Sequence, residues 1–113
     1  MSVRWKQSYF GLGLLMVAAC AGSIPQVSEH SVQRAREQWP EITTARLESG
    51  RATYVLKCSG CHSLVAPETK TAVEWKRGLD EMKTRAKLTE EETERVYEFL
   101  FANARGDQKE SSK

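Results

Sequence analysis

The residues with the clearest chemistry lie in one short string, Cys58-Ser59-Gly60-Cys61-His62. Two thiols that are three positions apart can add across the two vinyl groups of a heme. The adjacent imidazole is then carried beneath the ring, where it can bind the iron. The string therefore predicts one covalently attached c-type heme, with Cys58, Cys61 and His62 as binding residues.

Zinc binding and thiol redox chemistry are the alternatives for this string. A structural zinc site needs four ligands, and elsewhere the chain offers only Cys20 and His30. A thioredoxin-like pair follows a strand and opens a helix, whereas the residues before Cys58 have a helical pattern. A chance match without a cofactor would leave two thiols beside a histidine unexplained. The rest of the chain thus favours heme attachment.

The first 19 residues have the pattern of a secretory signal. Arg4 and Lys6 precede an apolar stretch that is shorter than the ~20 residues of a membrane-spanning helix. Residues 17–20, Val-Ala-Ala-Cys, resemble a bacterial lipoprotein box, whose cysteine is lipidated and becomes the mature N-terminus. The chain has three cysteines. If Cys58 and Cys61 bind heme, lipidation of Cys20 leaves no free thiol. The alternative is ordinary signal peptidase cleavage after Ala21, which discards Cys20.

Charge and composition predict how residues 20–113 divide into a tether, a domain and a tail. Without Arg4 and Lys6, 15 Lys and Arg residues balance 15 Asp and Glu residues, so no basic patch indicates nucleic acid binding. Residues 20–38 are polar, which predicts a flexible tether in which His30 is solvated. A folded domain over residues 39–105 and a disordered tail over 106–113 follow.

Three amphipathic helices are predicted in the folded domain, over about residues 43–57, 71–86 and 89–105. No segment alternates as a strand would, so the fold class is all-α. Gly50 in the first helix either admits a neighbouring backbone or is a tolerated surface glycine. Tyr54 and Phe99 are expected to pack where the first and third helices cross. Thr89 and Glu92 form a predicted capping box.

The order of these features resembles a known family. Gly50 and Tyr54 lead into the string at 58–62, Trp75 and Met82 follow, and an amphipathic helix closes the domain. This order is similar to that of small monoheme cytochromes c of the class I type, specifically the compact lipoprotein-like cytochromes of Gram-negative bacteria. The resemblance covers about residues 39–104. It implies thioethers at Cys58 and Cys61, His62 as proximal iron ligand, and a methionine as sixth ligand.

Met82 is the only methionine outside the predicted signal, and it shares an apolar stripe with Trp75. It is the candidate iron ligand, and a flexible core methionine is the alternative. Typical members place this methionine farther from the histidine, on a loop. Trp75 either lies along the heme edge or is ordinary core. The Pro67 carbonyl either orients the imidazole of His62 or belongs to a simple turn.

Histidine and methionine ligation saturates the iron, so an electron rather than a substrate is exchanged. We therefore expect an electron-transfer carrier, not an enzyme, that is monomeric and meets redox proteins by transient contact. The expected location is the periplasmic side of a bacterial membrane, with the outer membrane favoured for the lipid anchor at Cys20. A heme-based sensor or gas-binding protein is the alternative if Met82 does not bind iron. A single heme motif and the lack of a distal acid–base group disfavour a peroxidase.

Overall fold

Four α-helices make up most of the described chain. A computed structural model describes residues 24–59 and 63–106. Its elements are α1 (Glu29–Arg36), α2 (Thr44–Cys58), a 3-10 helix (Pro67–Thr69), α3 (Ala72–Met82) and α4 (Glu90–Asn103). Neither described range contains a β-strand, and the predicted all-α fold is confirmed. No helix in these ranges is long and apolar enough to cross a membrane. The predicted signal (1–19), Cys20 and residues 107–113 of the predicted tail lie outside the described residues.

The contact between α2 and α4 is the most extensive in the fold. Leu47 and Tyr54 are buried on one face of α2, and Phe99 is buried on α4. Gly50 lies on the same face of α2, and a Cβ there would be 2.0 Å from the carbonyl oxygen of Arg95. Only a residue without a side chain allows the two backbones to come this close. Gly50 thus admits a neighbouring backbone, and the surface-glycine alternative is wrong.

The segment before α2 differs from its prediction as a flexible tether. Over residues 24–38 the chain is folded onto the domain: Ile24, Val32 and Ala35 are buried, and α1 packs against α4. The side chain of Arg51 on α2 donates hydrogen bonds to the carbonyls of Ile24 (3.0 Å) and Pro25 (2.9 Å). The tether prediction is wrong for these residues because their few apolar side chains gain burial from α4, a contact that polar composition does not reveal.

Helix starts follow their local sequence signals. Thr43, Thr71 and Thr89 are N-caps whose hydroxyls accept hydrogen bonds from the amide three residues later. Glu92 completes the predicted capping box at Thr89, and Glu74 completes a second one at Thr71. The backbone N–H of Thr71 donates to the Glu74 carboxylate and lowers the pKa of Glu74 below its ordinary value.

Helix α3 ends earlier than predicted. Its last residue is Met82, and turns replace helix over residues 83–87. The amide of Lys87 donates to the carbonyl of Thr84 (3.2 Å), and the amide of Leu88 donates to that of Lys83 (2.9 Å). These two bonds close the turns at Lys87, which has a left-handed φ of 53°. Met82 therefore lies at the end of a helix rather than within one.

The Gly50→Ala variant should be much less stable than the unmodified protein. Its new methyl group would overlap the backbone of Arg95, which cannot move without separating α2 from α4. We expect the free energy of unfolding to fall by roughly 1–3 kcal/mol or more, the usual range for overpacking, as measured by urea denaturation. Gly106→Ala is the control, since a Cβ there meets nothing within 4 Å. Equal stability of the two variants would contradict the close approach at Gly50.

Candidate heme-binding cavity

A largely apolar cavity of about 290 Å³ lies between α2, α3 and α4. This volume is close to the lower end of the ~300–1,000 Å³ typical of ligand pockets. The charged residues in its lining are Lys57, Lys70 and Glu81, and the others are uncharged. The lining residues are Tyr54, Lys57, Cys58, Val65, Lys70, Trp75, Gly78, Leu79, Glu81, Met82, Ala86, Leu88 and Leu100. Three of the residues selected from the sequence, Cys58, Trp75 and Met82, thus lie in the wall of one cavity.

Cys58 reaches the cavity because it is the last residue of α2. It follows Tyr54 by four positions, so one helical face carries both side chains, and both line the cavity. Cys58 is half-buried. Gly60, Cys61 and His62 lie outside the described residues, so the binding roles of Cys61 and His62 remain predictions.

Met82 is the last residue of α3. It is half-buried and lines the same cavity as Cys58. A thioether is a soft, flexible and polarizable group, and it is one of the side chains that bind heme iron in cytochromes c. The fold therefore brings a candidate attachment residue and a candidate iron ligand to one apolar space. Whether Met82 binds iron stays a prediction.

Trp75 is both a core residue and part of the cavity wall. Its side chain is 8% exposed, and its indole N–H donates to the carbonyl of Pro67 at 2.8 Å. Because indole has a single donor, the N–H that could have reached a heme propionate is already used. The Pro67 carbonyl, considered from the sequence as a partner for the imidazole of His62, accepts this bond from Trp75. The ammonium of Lys70 lies 5.5 Å from the center of the indole ring.

Tyr54 was predicted only as a packing residue, and its place in the cavity wall was missed. Its hydroxyl donates to the carbonyl of Val65 at 2.5 Å. Burial raises the pKa of Tyr54 to about 12, the nearby Cys58 adds to the increase, and the bond to Val65 opposes it. The phenol consequently remains a donor throughout the physiological pH range. The spacing from Cys58 was the available signal, since residues four apart share a helix face.

Gly78 provides a test of whether a flat cofactor fits this space. It lies on α3 between Trp75 and Met82 and lines the cavity. A Cβ built at Gly78 has no heavy atom within 4 Å, so no described residue fills the space beside the α3 backbone at this point. Together with the thiol of Cys58, the thioether of Met82 and the apolar walls, this opening fits a heme.

Before heme attachment, while Cys58 is still a thiol, the phenol of Tyr54 should ionise near pH 12 in the folded protein. Its pKa is raised above the unfolded value, so the stability contributed by the buried neutral phenol is fully present below about pH 10. That stability is lost as the pH rises through the folded pKa of about 12. Phenolate absorbance should show a transition near pH 12 that Tyr54→Phe lacks. Identical alkaline titrations of the two proteins would contradict the burial of this hydroxyl.

Comparison with known proteins places these residues in a family. The family model of the dihaem cytochrome c (DHC) family matches residues 54–113, more than half of the chain. The match includes the string at 58–62, Trp75 and Met82. No curated protein and no solved structure matches the chain significantly. The chain therefore belongs to the dihaem cytochrome c family, as a c-type cytochrome that binds heme covalently and takes part in electron transfer.

Proposed function

We propose that the protein is an exported monoheme cytochrome that carries electrons at a membrane surface. The observation that supports this proposal best is the convergence of Cys58 and Met82 on one apolar cavity. The two residues come from the ends of different helices, so packing of α2 and α3 against α4 brings them together. Family membership supports heme-based electron transfer in general, and this convergence supports the specific ligand set.

In the proposed site, Cys58 and Cys61 hold the heme by thioethers, and His62 and Met82 bind its iron. A heme held in this way would supply one-electron chemistry between ferric and ferrous iron at a raised potential. The apolar side chains of Leu79 and Leu100 line the cavity and would exclude water from a bound heme, which would favour the less charged ferrous form. If His62 and Met82 both bound the iron, no site would remain for a substrate, and the protein would exchange electrons only.

We propose one heme rather than two. The chain has a single Cys-x-x-Cys-His string, and Cys20 is its only other cysteine. A second heme held by two thioethers would need two further cysteines. The name of the family describes a pair of hemes, so the heme content of this chain needs its own measurement.

Lipidation at Cys20 is the proposed membrane anchor. Ile24 is held against the domain through its buried side chain and through Arg51. Only residues 21–23 separate it from Cys20, and an extended chain covers at most ~3.6 Å per residue. The heme domain would therefore lie within roughly 14 Å of the lipid headgroups, on the periplasmic side and with the outer membrane favoured. Redox partners would meet it by transient contact at this surface, and the protein would act as a monomer.

A heme-based sensor or gas-binding protein is the second candidate. The observation that favours it is the position of Met82, which ends α3 next to the turns at 83–87. The Met82 carbonyl still accepts a hydrogen bond from the amide of Ala86 at 2.9 Å, but its side chain is only half-buried and a thioether is flexible. Such a methionine would be easier to displace by an incoming ligand.

Mass spectrometry of the mature protein should show one heme and an acylated N-terminus. Cys58→Ala should lose most of the covalently attached heme, because one of two thioethers can no longer form. Cys20→Ala is the matched control, since it removes the acyl groups and should leave the heme mass unchanged. Two heme adducts would contradict the monoheme proposal. An unacylated mature protein that begins after Ala21 would contradict the lipid anchor.

Replacing Met82 tests the sixth ligand. Met82→Leu keeps a side chain of similar volume and removes the sulfur, so the charge-transfer band from methionine to ferric iron should disappear. The midpoint potential should fall, and the ferrous form should gain carbon monoxide binding. Glu81→Gln is the control, because Glu81 lines the same cavity without offering sulfur. Unchanged spectra and potential in Met82→Leu would rule out ligation by Met82, and rapid carbon monoxide binding by the unmodified protein would favour the sensor.

A further inference from the structure

The loop that follows the heme-attachment string is held at two of its carbonyl groups. Tyr54 from α2 donates to the carbonyl of Val65 at 2.5 Å. Trp75 from α3 donates to the carbonyl of Pro67 at 2.8 Å. These carbonyls lie three and five positions after His62 in the chain. Two different helices thus bind the backbone immediately after the predicted iron ligand.

Both donors are fixed by the core rather than by solvent-exposed contacts. Tyr54 is 4% exposed and Trp75 is 8% exposed. Their rings pack edge to face, with centroids 6.0 Å apart and planes at 82°. Phe99 of α4 also packs on Tyr54, with a centroid distance of 6.2 Å. Neither donor can turn away without disturbing the packing between helices.

The two bonds fix described residues that follow the predicted iron ligand. Before that ligand, the described chain ends with Ser59, directly after the last residue of α2, Cys58. After that ligand, the chain is bound at Val65 and Pro67, and Pro67 is fully buried. Groups that fix the orientation of a metal-binding side chain tune the metal, and their replacement typically costs about 10–100-fold in affinity or activity.

We propose that Tyr54 and Trp75 are positioning residues that hold the loop after His62, at Val65 and Pro67, and thereby set the reduction potential of the heme. This inference rests on the proposed function, because it takes His62 as the proximal ligand. Both residues act through the carbonyls that they bind. Loss of either bond would free the loop and would expose a bound heme to water, which would favour the more charged ferric form, since the potential depends on hydrogen bonding and solvent exposure.

The experiment compares Tyr54→Phe and Trp75→Phe with a matched control in the heme-loaded protein. Tyr54→Phe removes only the hydroxyl, so the ring and its packing remain. Tyr97→Phe is the control, because Tyr97 packs edge to face on Trp39 and Phe101 and does not line the heme cavity. The measurements are the midpoint potential, the electron paramagnetic resonance spectrum of the ferric form, and amide hydrogen exchange over residues 63–66.

We expect Tyr54→Phe and Trp75→Phe to lower the midpoint potential, to shift the ferric resonance lines and to accelerate exchange over the loop. Tyr97→Phe should change none of these. Faster exchange with unchanged potential and resonance lines would show a structural role alone and overturn the proposal. If Trp75→Phe fails to fold, Tyr54→Phe decides the outcome.

Failure of the proposed function would give a different result. If the unmodified protein contained no covalent heme, the proposed function would be wrong. The positioning proposal would then be wrong as well, because it requires a bound heme. Covalent heme with unaltered potentials in both variants would overturn only the positioning roles of Tyr54 and Trp75.

Discussion

The close approach of α2 and α4 at Gly50 is the constraint on which the remaining structure depends. Contact with the backbone of Arg95 sets the separation of the two helices, and this separation lets Tyr54 reach Phe99. The position of Tyr54 in turn determines where its hydroxyl meets the loop after the heme string. Because Cys58 lies one turn beyond Tyr54 on the same helix, the packing at Gly50 also places the attachment residue at the cavity.

The cavity explains how a small chain can combine a core with a cofactor site. Small domains bury a limited fraction of their surface and are only marginally stable. Here Tyr54, Trp75, Leu79 and Leu100 belong to the hydrophobic core and also line the cavity. A heme bound against these side chains would extend the core with its own apolar surface. Cofactor binding and folding would then be coupled, since the same residues serve both.

The N-terminal segment connects the fold to the proposed anchor. Burial of Ile24 and the bonds from Arg51 turn most of an expected tether into part of the domain. A carrier on a long tether would reach partners far from the bilayer, whereas one held close to the lipid exchanges electrons at the membrane surface. The short connection proposed here would therefore select partners by location as well as by shape.

The sequence by itself predicts the features that depend only on neighbouring residues. The heme string needs only neighbouring residues, and the caps at Thr43 and Thr89 act within one turn, so the cofactor class, the all-α fold and the starts of α2 and α4 were predicted. Long-range contacts decided the rest. Helix α1 depends on burial against α4, Tyr54 donates to the carbonyl of Val65, and Trp75 donates to the carbonyl of Pro67. These contacts join segments that are distant in the sequence, and they form only when the tertiary structure packs those segments together.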